Sequence, residues 1–272
     1  MTRTRLPALY IPHGGGPCFF MEWTMGPRDT WDAMKAWLVE LGRRYPGPEA
    51  LLVVSAHWEE PVVTVQSGAQ PPLLFDYRGF PPETYELTWP APGATAVAAR
   101  VRALLDAAGI ESRADEQRGF DHGVFVPLKV AYPDASIPAA QLSLQAGLDP
   151  VRHIAVGRAL APLRDEGLLI VGSGMSFHNM RAFHRPDALE ASRQFDAWLG
   201  EVCEGDPAAR NRALARWSEG PSARFSHPRE EHLLPLMVAA GAAEGERGRR
   251  IFQDEVMGAR VSAFELGEPP AS

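Results

Sequence analysis

The sequence predicts an α/β fold, a single domain over residues 1–272 with a mainly parallel central sheet flanked by helices. Three observations carry this. Apolar runs alternate with amphipathic segments along the chain. The runs are apolar throughout, as in strands covered on both faces, rather than at every second residue. No internal repeat, low-complexity tract or long linker divides the chain.

Strands are expected at residues 7–12, 50–56, 61–67, 136–144 and 168–173. Between the first two lies "RDTWDAMKAWLVELGRRYP", where Asp29 or Thr30 can cap a helix whose apolar stripe is Trp31, Met34, Leu38 and Leu41. Residues 94–108 repeat the pattern and stop at Gly109. "LDPVRHIAVGRALAPLRDEG" opens with Asp149 as cap and Pro150 at the first helical position, and ends at Gly167. Residues 188–204 and 208–218 read as helices, and "EEHLLPLMVAAGAA" as another, kinked or started near Pro235. "RIFQDEVMGARVSAFEL" reads as a hairpin turning at Met257 and Gly258. The stretch "GAQPPLLFDYRGFPPETYELTWPAPG" is a long ordered loop, and loops of that length in compact domains are usually functional.

The net charge of -7 and pI near 5.6 argue against a polyanion such as nucleic acid as partner. The basic start "MTRTRLPALYIPHGGG" is broken by Pro12 and the glycines, so it is neither signal peptide nor membrane span, and a cytoplasmic location is expected. The two cysteines, Cys18 and Cys203, exclude a disulfide framework and a four-cysteine zinc site. The eight histidines are therefore the plentiful transition-metal ligands.

Three of them end apolar strands: "ALYIPH" at His13, "ALLVVSAH" at His57 and "GLLIVGSGMSFH" at His178. In an open α/β sheet ligands bind beyond the carboxyl ends of the strands. Any one histidine there has an ordinary explanation as a hydrogen-bonded rim residue. Three together favour a metal, since neutral imidazoles leave open positions for water, substrate or dioxygen. "GFDHGVF" adds Asp121 and His122. "SHPREEHLLPL" adds His227 and His232 around Glu230 and Glu231, with His232 facing inward beside Leu236 if the segment is helical there. His153 and His184, in Arg-containing surroundings, read as solvated surface residues.

Taken in order, "YIPHGGGP", "SAHWE", "FDYRGFPPETYELTWPAPG", "GFDHGVFVPL", "VGSGMSFHN" and "HPREEHLLPL" resemble the class III extradiol ring-cleavage dioxygenases of the LigB-like superfamily, in the branch of the 4,5-DOPA dioxygenases. The resemblance implies opening of a catechol ring beside its hydroxyls with O2 at one non-haem metal. Carried over by position, it implies His13, His57, His178 and His232 at the metal and His122 as the acid-base histidine. The expected metal is Fe(II), with Zn(II) as competitor because histidines stand where the protocatechuate branch has a carboxylate. The expected partners are a small aromatic diol and O2, with no nucleic acid and no membrane. Phe75, Tyr77 and Phe80 either wall an aromatic ring or pack the long loop onto the sheet, and Arg78 either meets a substrate carboxylate or stands exposed at the surface, so it is not counted among the site residues.

Two rival readings use the same residues. In a zinc hydrolase the histidines hold a water and Glu59 or Glu231 acts as base. In a non-catalytic metal or small-molecule binding protein no turnover follows binding.

Overall fold

The structure, a computed structural model, describes residues 5–268. Its strands are β1 (Ala8–Pro12), β2 (Ala50–Glu60), β3 (Val63–Gln66), β4 (Ser112–Asp115), β5 (Ala139–Gln145), β6 (Leu168–Gly174), β7 (Gly248–Val256) and β8 (Ala259–Leu266). They form one eight-stranded sheet in the order β4-β3-β5-β2-β6-β1-β8-β7. The centre is parallel, with β2 between β5 and β6, and β6 paired to β1. Antiparallel pairs lie toward the edges, where β3 meets β5 and β8 meets both β1 and β7.

The helices are α1 (Asp32–Arg44), α2 (Thr95–Ala107), α3 (His122–Ala131), α4 (Pro150–Leu160), α5 (Pro162–Asp165), α6 (Pro186–Glu204), α7 (Pro207–Ala215), α8 (Ala223–Ser226) and α9 (Leu234–Ala242). Alternate residues of the central strands feed two cores. Leu9, Ile11, Leu51, Val53, Leu169 and Val171 pack with α1 and α3. Tyr10, Leu52, Val54 and Ile170 pack with α2, α4 and α9 on the other face. Burying one such aliphatic side chain contributes about 1.5–3 kcal/mol, so slipping a strand by one residue is strongly disfavoured and the register is specified.

Several expected elements stand where the residues placed them. Asp149 caps α4, its carboxylate accepting the N–H of Val151 at 2.8 Å. The hairpin turns at Met257 and Gly258, both at positive φ (52° and 76°), the backbone that a tight two-residue turn requires and that a glycine adopts without penalty. The long loop is ordered: Leu74 N–H donates to Phe120 O (2.8 Å), Tyr77 Oη to Thr84 O (2.6 Å) and Trp89 Nε1 to Tyr132 O (3.0 Å).

Other expectations are corrected. Neither Asp29 nor Thr30 caps α1, which starts after Trp31; Thr30 Oγ1 donates instead to Pro27 O at 2.6 Å. β2 continues to Glu60 through a register shift after Val54, so His57 lies within the strand rather than beyond it. Three elements lie outside the expected set, among them the four-residue α8. β4 is a polar four-residue edge strand without an apolar run, and α3 is buried on nearly every side with Pro127 inside it, so neither shows the usual periodicity. The segment ending at Gly167 divides at Pro162 into α4 and α5. α9 begins at Leu234, which leaves His232 in the turn before it rather than on the helix. His153 is buried, not solvated: its Nδ1 lies 2.7 Å from Asp149 O, and Gln145 N–H donates to its Nε2 at 3.1 Å. His184 is exposed, as expected. Among the described residues no helix is long and apolar enough to cross a membrane.

Candidate metal centre

The adjacency of β2, β6 and β1 brings their carboxyl ends to one place. His13 follows β1 directly, and its backbone N–H extends the strand by donating to Gly174 O at 3.1 Å. Its Nδ1 lies 3.2 Å from Ser173 Oγ, while the Ser173 hydroxyl donates to the Gly123 carbonyl. That hydroxyl has one proton and gives it to Gly123, so its oxygen accepts from His13 Nδ1–H. The Nε2 lone pair of His13 is left free.

That nitrogen is 3.1 Å from Nε2 of His57. Nδ1 of His57 faces Oδ2 of Asp76 at 3.7 Å, which favours a proton on Nδ1 and a second lone pair on Nε2. His232 completes the group: one donor atom from each of His13, His57 and His232 lies within 4.8 Å of the others. Its carbonyl is gripped by Tyr10 Oη at 2.7 Å and by Met175 N–H at 3.2 Å. A Cβ on Gly174 would stand only 2.0 Å from that carbonyl, so no other residue at the end of β6 allows the His232 turn to approach so closely.

Burial, reinforced by the neighbouring imidazoles, holds His13 and His232 well below the usual histidine range. Burial and the charge of His122 lower His57 to about 3, against the opposing pull of Asp76. All three are therefore neutral at neutral pH, the form that ligates metals. Two imidazoles on one ion at about 2.1 Å stand roughly 3.0–3.4 Å apart, so the Nε2–Nε2 spacing and the facing lone pairs fit a divalent cation. Without a cation those lone pairs would repel.

His122 and His178 flank this group. His122 opens α3 with its ring centroid 3.9 Å from that of His57. Both its backbone N–H (3.0 Å) and its Nδ1 (2.7 Å) meet Oδ1 of Asp76. Burial pushes the Asp76 carboxyl up, but the hydrogen bond and charge of His122 outweigh it and hold the group below its ordinary value. His178 stacks on His232 at 3.3 Å between centroids, and its Nδ1 is 3.2 Å from Glu231 Oε1. The same oxygen is 3.0 Å from His232 Nδ1. His178 thus joins Glu231 and His232 in a second cluster of donors, which shares His232 with the first but contains neither His13 nor His57.

Asp76 was not among the residues expected at the site: it lies between two aromatics in "FDYRG", and nothing local in the sequence marks it as the partner of His122. Asp121, singled out with His122, lies behind the site. Ser55 Oγ donates to it at 2.7 Å and Arg118 Nη2 at 2.9 Å, while burial and the charge of Asp76 push its carboxyl up. His227 is buried outside the histidine group, its Nε2 bonded to Ser176 O at 2.9 Å. Glu59 is paired with Arg229, which also reaches Oε2 of Glu231 at 3.4 Å.

The five imidazoles His13, His57, His122, His178 and His232 line a cavity of about 480 Å³, within the range that holds small organic ligands. Trp23, Trp31, Tyr77, Phe80 and Phe183 add aromatic walls. Of the three aromatics expected to wall a ring, Tyr77 and Phe80 do so. Phe75 packs behind them against Phe125, at 5.6 Å between centroids.

Residues 7–265 match the family described as the catalytic LigB subunit of aromatic ring-opening dioxygenase. The chain is 36% identical over 287 residues to Dioxygenase tasH of Hapsidospora irregularis, covering 96% of this chain and 85% of that protein. It is 43% identical over 206 residues to a 4,5-DOPA dioxygenase extradiol of Portulaca grandiflora, covering 74% and 75%. With the protein of that name in Escherichia coli K12 it shares 35% over 250 residues, covering 90% and 88%. The crystal structure of an uncharacterized Escherichia coli K12 protein resembles it with a TM-score of 0.77 at 30% identity, covering 97% of this chain and all of that one. A strand-end histidine group beneath an aromatic cavity and a family match over nearly the whole length agree: this chain belongs to the LigB family of aromatic ring-opening dioxygenases.

Proposed function

We propose that the protein opens a catechol-type ring with O2, in the extradiol manner of the 4,5-DOPA dioxygenases, at one metal held by His13, His57 and His232. The observation that carries this is the 3.1 Å meeting of the Nε2 lone pairs of buried His13 and half-buried His57 beneath an aromatic cavity. Fe(II) is the metal expected to support turnover and Zn(II) competes for the same donors; when bound, iron supplies the redox link between the diol and dioxygen. The cavity walls hold the ring over the imidazole floor and exclude water, which fixes the orientation of the diol.

His122 is the proton carrier in this reading. Its Nδ1 is committed to Asp76, so Nε2 takes a hydroxyl proton as the diol binds and returns it as the ring opens. His178, with Nδ1 committed to Glu231, offers its other nitrogen to the substrate as a hydrogen-bond partner from the opposite side. The zinc hydrolase reading is weakened because both its candidate bases are engaged, Glu59 by Arg229 and Glu231 by two imidazoles.

The test is anaerobic reconstitution with Fe(II), and separately with Zn(II), followed by oxygen-electrode and absorbance assays on DOPA, protocatechuate and related catechols. O2 uptake matched by a coloured ring-opened product with iron alone is the expected result. Well-loaded iron protein that consumes no O2 across the panel would overturn the reading.

A further inference from the structure

β2 leaves its ladder where it delivers His57. Val54 pairs with Leu142 of β5, and pairing resumes only at Glu59 with Leu144. Toward β6 the last pair is Ser55 with Ser173. A register shift of this kind re-aims a side chain, and the backbone groups it frees need other partners. His57 finds them in side chains. Its N–H donates to Ser55 Oγ at 3.2 Å, and its carbonyl accepts from Arg118 Nη2 at 3.3 Å. Both routes end on one fully buried carboxylate. Ser55 Oγ donates to Asp121 Oδ1 at 2.7 Å, and the second proton of Arg118 Nη2 goes to Asp121 Oδ2 at 2.9 Å. Gln141 Nε2 also donates to Oδ2.

Asp121 stands immediately before His122, the first residue of α3. The same turn reaches the neighbouring strand. Ser173, opposite Ser55 in the register, accepts from His13 and donates to Gly123 O. A Cβ on Gly123 would stand 2.6 Å from Ser55 Oγ and 3.1 Å from His57 Cδ2, so this seating of α3 against β2 requires glycine. Resting on the assignment of His57 to the metal, we propose that Asp121 is a positioning residue for metal binding: its carboxylate clamps His57 at both its N–H and its carbonyl, and residues 121–123 thereby lock His57, His13 and His122 into one arrangement. The role is geometric. Asparagine can fill it, turning its carbonyl toward Arg118 and Gln141 and its amide N–H toward Ser55 Oγ, which has a lone pair to accept it; alanine cannot.

Equilibrium dialysis of the folded protein with Zn(II), and amide hydrogen exchange at His57 in the metal-free protein, test this without turnover. Asp121→Ala is expected to weaken Zn(II) binding by about 10- to 100-fold, the loss typical of removing a group that orients a ligand, while Asp121→Asn stays within about threefold of the unaltered protein. Ser55→Ala and Arg118→Met each remove one arm of the clamp. Each should lose less than Asp121→Ala, and the two combined should reproduce it. Exchange at the His57 amide should quicken in Asp121→Ala and Ser55→Ala but not in Asp121→Asn. A merely structural role would lower stability and leave the Zn(II) affinity of the folded protein where it was. Undiminished affinity in Asp121→Ala, or an equal loss in Asp121→Asn, would overturn the proposal. Where Asp121→Ala does not fold, Ser55→Ala decides, and unchanged affinity and exchange in that variant would overturn it. No Zn(II) binding by the unaltered protein would remove the metal site and the proposal together, whereas binding indifferent to the clamp would remove the proposal alone.

Discussion

Oδ1 of Asp76 receives both polar hydrogens that His122 presents to it, Nδ1–H at 2.7 Å and the backbone N–H at 3.0 Å. One oxygen thereby sets the position of the first residue of α3 and the tautomer of its ring. The prediction is non-additivity. Asp76→Ala should lower kcat of the iron-loaded protein by about 10- to 100-fold, and His122→Ala by roughly 10²- to 10⁴-fold. The double variant should lose less than the product of the two single losses, with any excess over His122→Ala passing through His57, whose Nδ1 also faces Asp76. Steady-state kinetics, with iron content measured alongside, checks this; losses that multiply would show that Asp76 acts elsewhere.

Metal binding should divide the histidines. Zn(II) at one hundred times its Kd is expected to stabilise the protein by about 2.7 kcal/mol. His13→Ala, His57→Ala and His232→Ala should each abolish that gain, whereas His178→Ala, outside the donor group of His13 and His57, should retain most of it. Thermal unfolding with and without Zn(II) reads the difference. A stabilised His57→Ala variant would sink the three-imidazole assignment.

Gly174→Ala tests how the His232 turn is seated. The added methyl would lie 2.0 Å from His232 O, a backbone atom that Tyr10 and Met175 also hold. Relief requires moving the turn, at a cost of about 1–3 kcal/mol in stability, and the shift should carry His232 off the site and weaken metal binding with it. Urea unfolding and equilibrium dialysis with Zn(II) measure the two effects. Unchanged metal affinity would separate the turn from the metal.

Acid should destabilise the fold through histidines outside the metal group. Burial lowers His227 to about 3 and also lowers His153. Above pH about 6.5, the ordinary histidine value, neither the folded nor the unfolded form of such a residue holds the extra proton, and its contribution to stability is intact. Below that, the unfolded chain takes a proton that the folded form refuses, so stability falls as pH drops from 6.5 toward the folded value, by up to about 1.4 kcal/mol per pH unit for each residue. Urea unfolding between pH 7.5 and 5 should show this slope, and His227→Gln should flatten it. A slope unaltered in that variant would place the acid sensitivity elsewhere.

What was legible in the sequence was the information carried by neighbouring residues. An apolar run ending in a histidine encodes a buried strand and its terminal imidazole within a dozen residues, which is why His13 and His57 could be named before any contact was known. The Asp149 cap and the Met257–Gly258 turn are local in the same sense. α3 was illegible because it is surrounded by protein and therefore has no polar face to mark its period. His153 was misread because its Arg neighbours point to solvent while its own ring turns inward to Asp149 and Gln145.

Tertiary structure alone decided how the histidines are sorted. The strand order β5-β2-β6-β1 sets the ends of β2, β6 and β1 side by side and so brings His57 to His13, 44 residues away in the chain. The same packing brings Asp76 to His122 across 46 residues and leaves Glu231 between two imidazoles. Local sequence determines which side chain ends an element and which way the element wants to face. Which ends share a crevice follows from the sheet order and from one close backbone approach at Gly174, and these depend on burying both faces of the sheet at once.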